Sequence, residues 1–405
     1  SAFGDYAVGA VGTANSYIGI FIIMFSIISS GMVSVMTQNI GAGRPGVAYQ
    51  ARQLGLLFNA VAGVLMAVFL FSGAGAILRM VGIADALYEP ALIYLKIVGG
   101  GCILNAVIPI FSSYLRAFGY TKQPLYATIV GNIANFVMNA VFLFVLHKGV
   151  AGVATATVIS KILNLCIVLY FSHKLISAKN STERIANKTV LGQIVKVGLP
   201  SACETALYNV AMMLVIRFLN QMDAEGLNVT ARSYTATISN FSYCVGAALA
   251  QANAIMTGWH IGAGELEECD RGTKRAAFVG VCVAVCMETA IVLGSGFIMP
   301  LFTDNPEMTA LVRKLLAIDI VLEIGRVTNL VFGQALKTSG DAVFPAVIAA
   351  VFMFVFAVGG TWLFGISMGL MAVGAYIGLA SDECVRAVGM VWRWKTGKWR
   401  TKKLV

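Results

Sequence analysis

The chain contains an internal duplication in which sequence landmarks recur 221 positions apart. Gly41-Ala42-Gly43 returns as Gly262-Ala263-Gly264. The run from Leu115 to Pro124, with a basic residue, a glycine and a proline at fixed spacing, returns from Leu336 to Pro345. A repeat of this length is half a protein and not the unit of a short solenoid. The sequence therefore predicts two halves built on one plan.

The composition places both halves in a membrane. Hydrophobic residues make up 58% of the chain and charged residues 12%, and the mean hydropathy is +0.82. A spanning helix needs about 20 apolar residues, whereas the strands of a membrane barrel alternate over about 10. We therefore predict an all-α polytopic membrane protein. Its eleven predicted spans cover approximately 12–38, 54–78, 91–116, 123–146, 150–172, 197–219, 233–257, 276–300, 309–336, 342–364 and 369–392.

The position of the repeated loops predicts how the halves are related. Six predicted spans separate the two Gly-Ala-Gly loops, and an even number returns the chain to the same side of the membrane. We therefore expect two pseudo-symmetric parallel bundles, an arrangement typical of transporters that hold substrate near the midplane. The predicted domains are an N-lobe at 1–173, a cytoplasmic linker at 174–190, a C-lobe at 191–392 and a basic cytoplasmic tail at 393–405.

The two halves differ by one span, five in the first and six in the second. The sequence opens on Ser1, and residues 1–12 have the composition of a loop that enters a helix. We therefore expect eleven helices of a family architecture of twelve, with the first family helix missing.

The net charge of +10 is distributed by membrane side. Eighteen of the 29 Lys and Arg residues fall on the side of the linker and the tail, and six fall on the other side. This asymmetry follows the positive-inside rule. It predicts a multi-pass protein of the cell inner (plasma) membrane with a cytoplasmic C-terminus, whose tail meets anionic lipid headgroups. Binding of nucleic acid is not expected.

The sequence contains no recognisable catalytic motif. It has three histidines, all near segment ends, and none of the His-Glu-x-x-His, Cys-x-x-Cys or Gly-x-Ser-x-Gly motifs. Its eight cysteines fall almost entirely inside apolar segments, where cysteine acts as a small core residue. We expect a monomer that binds a small-molecule substrate and the lipid bilayer. We expect neither an enzyme nor a cofactor, with Na⁺ or H⁺ as the coupling ion.

Ionisable groups inside a bilayer cost several kcal/mol unless they are paired or hydrated, and the second half holds nearly all of them. Glu204 follows Pro200 by one helical turn. A proline frees a backbone carbonyl, which together with the acid could hold a cation. The alternative for Glu204 is a structural ion pair with a buried arginine.

Two further charge sets have helical spacing. Asp319, Glu323 and Arg326 stand at i, i+4 and i+7 on one stripe. Asp382 and Glu383 precede Arg386 by one turn. We expect the five acids Glu204, Asp319, Glu323, Asp382 and Glu383 to take part in cation coupling, with Arg326 and Arg386 as structural charge partners. Glu288 has no helical partner, and the sequence does not assign it.

Several of these residues carry a resemblance to a known family. The run Val197-Gly-Leu-Pro-Ser-Ala-Cys-Glu204, the twin Gly-Ala-Gly loops, the Arg116/Gly119/Pro124 motif with its copy, the run Gly149 to Thr157 and Lys398-Trp399 together resemble the multidrug and toxic compound extrusion (MATE) family. The resemblance covers the chain apart from the first family helix. It implies two bundles of six helices around a central cleft that opens to either side in turn. Such proteins export amphipathic and often cationic compounds in exchange for Na⁺ or H⁺.

The resemblance also implies site residues. Archaeal and DinF-like members use an acid on the first helix, an Asn and an Asp on the fifth and a Thr on the sixth. The last three positions fall on Asn135, Asn139 and Thr157, so Asn139 stands where those members have an acid. An amide does not titrate, although its oxygen can ligate Na⁺. In the NorM-like branch the acid of the tenth helix aligns with Arg326, which makes Glu323 a displaced substitute and gives a possible Na⁺ position at Glu204 and Glu323.

Two other functions compete with export. A lipid-linked saccharide flippase of the same superfamily would carry a cationic central cavity for pyrophosphate, whereas the midplane charges of this sequence are mostly acids. An intramembrane enzyme would need a metal, nucleophile or DDxxD-type motif, which the sequence lacks. The leading interpretation is a cation-coupled exporter.

Overall fold

We describe a computed structural model of the chain that covers residues 5–80, 85–176, 183–223 and 225–405. The first half of these residues forms α1 (Asp5–Gly41), α2 (Pro45–Met80), α3 (Asp85–Gly100), α4 (Cys102–Ala117), α5 (Lys122–Ala140) and α6 (Gly149–Leu175). The second half forms α7 (Asn187–Met222), α8 (Leu227–Ala263), α9 (Leu266–Ile298), α10 (Pro306–Ser339), α11 (Val343–Phe352) and α12 (Met371–Lys395). Three π-helical stretches extend α5 and α11, namely Val141–Val145 after α5, and Met353–Val358 and Thr361–Ser367 after α11.

The predicted all-α fold is confirmed, since the described residues contain helices and no strand. Every predicted span coincides with one of these helices or with a helix and its continuation. By length and hydropathy, seven of the described helices could cross a membrane, or eight if the bent pair α3 and α4 is one span. The remaining spans, α8, α10 and α12, bury polar side chains such as Ser239, Asp319 and Asp382. These side chains lower the hydropathy of three of the four α-helices that line the site described below, the fourth being α7.

Two boundaries differ from the sequence prediction. The predicted loop over residues 1–12 is wrong for its described part, because α1 already begins at Asp5; residues 1–4 lie outside the described residues. The predicted span 91–116 is broken after Gly100, where α3 and α4 meet at a bend of 41°. Pro109 lies within α4 itself and not at this bend.

The chain divides into two compact units, Ser1–Leu199 and Pro200–Val405. The division falls within α7, between Leu199 and Pro200, nine residues after the linker boundary proposed from the sequence. Within the first unit, α2 packs against α1, α3 and α4. Within the second unit, α10 packs against α8, α9 and α12, so α10 is the central helix of that unit.

The duplicated glycines end equivalent helices with the same backbone conformation. Gly43 follows α1 with φ +73°, and Gly264 follows α8 with φ +80°. In both turns the next residue donates its N–H to a carbonyl five positions earlier, Arg44 to Asn39 (2.8 Å) and Glu265 to His260 (2.8 Å). This left-handed glycine cap is a common way to satisfy the last carbonyls of a helix.

The second repeated motif likewise ends α4 and α10 with a glycine at positive φ. Gly119 has φ +85° and Gly340 has φ +99°. The backbone N–H of Gly119 donates to the backbone carbonyl of Arg116 at 2.9 Å, and that of Gly340 donates to the backbone carbonyl of Lys337 at 3.0 Å. The sequence repeat is therefore a repeat of helix ends, and the glycines recur because a Cβ strains this region of φ.

The C-terminal tail packs against the second unit. Trp399 is 1% exposed and stacks on Trp394, with ring centroids 4.2 Å apart and planes 9° apart. Its indole N–H donates to the Trp394 carbonyl at 3.0 Å, and the Trp394 indole donates to Asp270 Oδ1 at 2.7 Å. The tail is thus held by burial of two aromatic rings whose N–H groups both have partners.

Part of the positive charge of the tail is neutralised within the protein. The buried carboxylate of Asp341 pairs with Arg393 Nε at 2.7 Å and with Lys402 Nζ at 3.7 Å. Arg400 Nη1 lies 2.6 Å from Glu267 Oε1. These three cations thus have acidic partners within the protein, and contact of the tail with anionic lipid headgroups stays a prediction.

We expect Trp399→Ala to destabilise the protein strongly, because replacement of a buried tryptophan by alanine costs about 3–5 kcal/mol in protein cores. For a unit of this size the midpoint of thermal unfolding should fall by roughly 6 °C or more. The measurement is the fraction of detergent-purified protein that stays monodisperse after heating. Trp392→Ala is the matched control, since Trp392 is 58% exposed. Equal losses in the two variants would contradict the packing described for the tail.

Candidate functional site

The second unit contains an open cavity of about 540 Å³. Its walls come from α7, α8, α10 and α12, and Met353 of the π-helical continuation of α11 also lines it. The lining runs along α10 from Asp319 to Lys337, a distance of roughly 27 Å at 1.5 Å per residue. The lining of α10 is therefore close in length to the thickness of a bilayer's hydrocarbon core.

The lining combines apolar and charged side chains. Three tyrosines, Tyr208, Tyr243 and Tyr376, and several Met and Leu residues form the apolar part. Four acids (Glu204, Asp319, Asp382, Glu383) and four bases (Arg232, Arg326, Lys337, Arg386) form the charged part. The expectation of a mostly acidic midplane is therefore wrong for this lining, which is balanced in formal charge. The sequence missed Arg232 and Lys337, since both lie near helix ends, where a cation usually contacts headgroups.

Glu204 faces the cavity and pairs with a lysine. Its Oε2 lies 2.8 Å from Lys337 Nζ, and the two side chains are 21% and 13% exposed. The sequence alternative of a buried arginine partner is wrong in residue type, because the partner is the basic residue of the duplicated motif. A partly exposed Glu–Lys pair is held less firmly than a forked arginine pair. Glu204 is therefore held less firmly at the cavity wall than an acid in a forked arginine pair.

Arg386 organises the acids of α12. Its Nε and Nη2 both contact the Asp382 carboxylate, at 3.1 and 2.8 Å, and Nη2 also lies 2.8 Å from Glu383 Oε1. This forked geometry is the strong form of an ion pair. The predicted pairing of Arg386 with both acids is observed, and it holds Asp382 and Glu383 at the cavity wall.

Arg326 joins α10 to α12. It contacts the carboxylate of Glu323, one turn earlier, and its Nε lies 3.8 Å from Glu383 Oε1. Asn329 donates to Glu383 Oε2 at 3.0 Å. Glu323 is 0% exposed and does not line the cavity. Of the two acids at which the sequence analysis put a possible Na⁺ position, only Glu204 therefore lines the cavity, and Arg326 stands at the cavity wall in place of Glu323.

Asp319 differs from the other acids that line the cavity. It is 2% exposed, its Oδ2 has no hydrogen-bond partner, and no lysine or arginine of the described residues lies within ion-pair distance of it. Among the described residues, no three His, Cys, Asp or Glu side chains converge closely enough to hold a metal ion. The possible Na⁺ position at Glu204 and Glu323 stays a prediction. In the structure each of these acids has a basic partner.

The charge network depends on close contact between α10 and α12. An ideal Cβ on Gly325 would lie 2.7 Å from the carbonyl carbon of Glu383 and from the backbone nitrogen of Cys384. Real Cβ atoms do not come so close to a backbone, so only glycine fits at this crossing. The absence of a side chain at Gly325 brings Arg326 within reach of Glu383.

The polar residues predicted in the first half form a separate, smaller cluster. Asn139 donates to Asn135 Oδ1 at 3.1 Å, and Asn135 donates to Ser160 Oγ at 3.4 Å. The hydroxyl of Thr157 donates to the Val153 carbonyl of its own helix at 2.9 Å. The structure thus brings Asn135 and Asn139 together, with Ser160 as a partner that the sequence analysis missed, while Thr157 forms a hydrogen bond within α6.

Comparisons with known proteins agree with this architecture. The MatE family model matches residues 1–141 and 200–363. The chain is 31% identical to the "Uncharacterized transporter YisQ" of Bacillus subtilis (strain 168) over 408 aligned residues, which cover 99% of this chain and 89% of that protein.

Solved structures show the same fold. An outward-facing multidrug resistance MATE transporter of the MOP superfamily superposes with a TM-score of 0.89 at 20% identity, and MATE in a straight conformation superposes with a TM-score of 0.87 at 21% identity. A MOP superfamily transporter from Pyrococcus furiosus Vc1, described as having a binding pocket of reverse polarity, superposes with a TM-score of 0.82 at 19% identity. Each match covers 98% of this chain and 90% of the other.

We expect Gly325→Ala to disrupt the network by forcing α10 and α12 apart. Overpacking of this kind costs about 1–3 kcal/mol, and the shift also moves Arg326 away from Glu383. The matched control is Gly333→Ala in the same helix, where the nearest atom to the new Cβ, Asn329 Oδ1, is 3.9 Å away. Thermal unfolding in detergent should show a loss for Gly325→Ala only. A Gly325→Ala protein as stable as the wild type would contradict the close crossing.

Proposed function

The chain belongs to the MatE family of multidrug and toxic compound extrusion transporters, and we propose that it exports amphipathic, often cationic small molecules in exchange for H⁺ or Na⁺. One observation carries the proposal: the cavity of about 540 Å³ in the second unit, with tyrosines and apolar side chains beside acids. Ligand sites have this size and this mixture of apolar walls and a few polar groups. An amphipathic cation finds both an apolar surface and a carboxylate there.

The proposed mechanism is exchange of cations at carboxylates. Glu204 is paired with Lys337 alone, and Asp319 has no basic partner in the described residues. Either acid can accept a coupling cation or the positive group of a substrate. Because the two ligands compete for negative charge, binding of one disfavours the other. Asp382 and Glu383 are less suited to this exchange, since Arg386 holds both.

Alternating access completes the mechanism. A ligand shifts the balance of two conformations only by the difference in its affinity for them. The coupling cation must therefore favour the state from which substrate leaves, and the substrate must favour the other. We propose that this cycle runs in the plasma membrane with the C-terminus in the cytoplasm, as the distribution of basic residues predicts.

Transport of a lipid-linked saccharide is the second candidate. One observation favours it: Arg232 lines the cavity without an ion pair among the described residues and contacts the Met212 thioether at 3.7 Å. A pyrophosphate group would need several such free cations. Arg326, Lys337 and Arg386 are each already paired with an acid. Because three of the four basic residues of the lining are already paired with acids, the lining favours the exporter over transport of a lipid-linked saccharide.

We expect Glu204→Gln to abolish gradient-driven efflux while the protein still folds, because the change keeps the side-chain size and removes the exchangeable charge. The assay is efflux of a cationic dye from proteoliposomes under a proton gradient, a sodium gradient or neither. Glu307→Gln is the matched control, since it makes the same chemical change in the exposed first turn of α10.

Each outcome of this assay supports or overturns one of the two assignments, the role of Glu204 or the exporter function. Loss in Glu204→Gln with full activity in Glu307→Gln supports the assignment. Full transport by Glu204→Gln overturns the role of Glu204. Wild-type protein that moves no dye under either gradient, yet moves a lipid-linked saccharide, overturns the exporter in favour of the second candidate.

A further inference from the structure

Two charged side chains of the cavity lining have no partner of opposite charge in the described part of the chain. Six of the eight charged residues of the lining belong to the ion pairs reported above, namely Glu204, Lys337, Arg326, Glu383, Asp382 and Arg386. The other two are Arg232 and Asp319. The unpaired charges of the lining are therefore one cation and one anion.

The two unpaired side chains come first in the lining from the same end of the cavity. Consecutive spanning helices alternate in direction, so α8, α10 and α12 run one way and α7 runs the other. The first residues that α8, α10 and α12 contribute to the lining are Arg232, Asp319 and Tyr376. The last residue that α7 contributes is Met212, whose Sδ lies 3.7 Å from Arg232 Nη2. The paired acids and bases follow farther along the same four helices.

The protein leaves most of the hydrogen-bonding capacity of Arg232 unused. A guanidinium carries five N–H donors. Within the described residues the one side-chain hydrogen bond of Arg232 goes to the Met212 thioether, which is a weak acceptor. The planar fork of a guanidinium matches the two oxygens of a carboxylate. A carboxylate is therefore the ligand group that Arg232 fits best.

Asp319 presents the opposite charge. Its side chain lines the cavity although the residue is only 2% exposed, and its Oδ2 has no hydrogen-bond partner. An acid without a counter-charge inside a bilayer is costly, and such acids mark the routes of substrates and ions. The positive group of a ligand would supply the counter-charge that the described residues do not supply.

From these two side chains we propose that the cavity selects zwitterionic substrates, with Arg232 binding a carboxylate and Asp319 binding the positive group of the same molecule. This inference rests on the proposed export function and specifies its substrate class. A substrate with a positive charge alone is attracted by Asp319 and repelled by Arg232. A carboxylate on the same molecule turns that repulsion into a second ion pair, and such complementarity of charge gives specificity.

Aromatic rings beside the two charges suit the body of such a molecule. Tyr376 is the first residue of α12 in the lining, and Tyr208 lies one helical turn from Met212 on α7. Tyrosine rings offer flat apolar surface for stacking, and the ring face also attracts a cation. We therefore expect an aromatic ring system that carries the positive charge, with the carboxylate on a side chain.

The test uses two fluorescent styrylpyridinium dyes that differ only at the end of the chain on the ring nitrogen. One dye carries a 5-carboxypentyl chain and is a zwitterion, and the other carries the corresponding primary amide and is a cation. The flexible chain lets the carboxylate reach Arg232 while the pyridinium lies beside Asp319. Affinities are measured by fluorescence titration of the detergent-purified full chain, with empty micelles as the blank.

We expect the wild type to bind the zwitterion about tenfold more tightly than the amide, the size expected for a hydrogen-bonded charge pair. Arg232→Gln should lose this preference without weaker binding of the amide dye. Arg232→Lys should keep part of it, because lysine retains the charge and loses the fork. Asp319→Asn should weaken binding of both dyes. The control Arg313→Gln, which changes an exposed arginine of α10 outside the lining, should leave both affinities unchanged.

Equal binding of the two dyes by the wild type overturns the proposal, and so does an Arg232→Gln protein that keeps the wild-type preference. Binding needs no gradient, so this inference and the export function fail separately. A protein that prefers the zwitterion but moves neither dye out of proteoliposomes keeps the zwitterion site and loses the exporter function. A protein that exports both dyes and binds them equally keeps the exporter function and loses the zwitterion site.

Discussion

Neutralisation of buried charge is the constraint on which the second unit depends. Inside a bilayer an isolated carboxylate or guanidinium is costly, and here five acids and two arginines lie between α8, α9, α10 and α12. The network is possible only where α10 and α12 come into backbone contact, at Gly325. Removing one member leaves another charge buried without its partner, which is why such networks are expensive to break.

The duplication repeats the helix ends of the two units, whereas the polar side chains inside the units differ. In both halves the repeated glycines end helices with positive φ and the same hydrogen bonds. The buried acids do not repeat. Asn135 and Asn139 pair with each other in the first unit, whereas the second unit holds the acids. The basic residue of the repeated motif shows the difference most directly, because Arg116 contacts Ser113 at 3.2 Å and Lys337 contacts Glu204 at 2.8 Å.

Local signals in the sequence predicted most of the fold and about half of the site. The predicted apolar segments each coincide with observed helices, and spacing along one helix predicted the pairs of Arg386 with Asp382 and of Arg326 with Glu323. Contacts between helices could not be predicted this way. The pairing of Lys337 with Glu204, the entry of Arg232 into the cavity and the exclusion of Glu323 from it depend on helix rotation. Rotation follows from close packing at positions such as Gly325, and a glycine in a helix has no pattern that distinguishes such a crossing from an ordinary position.

The acids of the second unit therefore divide by how firmly they are held. Arg386 fixes Asp382 and Glu383 through a fork of short contacts, and these acids maintain the wall. Glu204 has a single flexible lysine partner, and Asp319 and Glu288 have none in the described residues. Under the proposed exchange the two kinds of acid have different tasks. The fixed pairs keep buried charge compatible with the fold, because each acid has its counter-charge, whereas the less firmly held acids are the ones proposed to take a proton or a cationic substrate as partner.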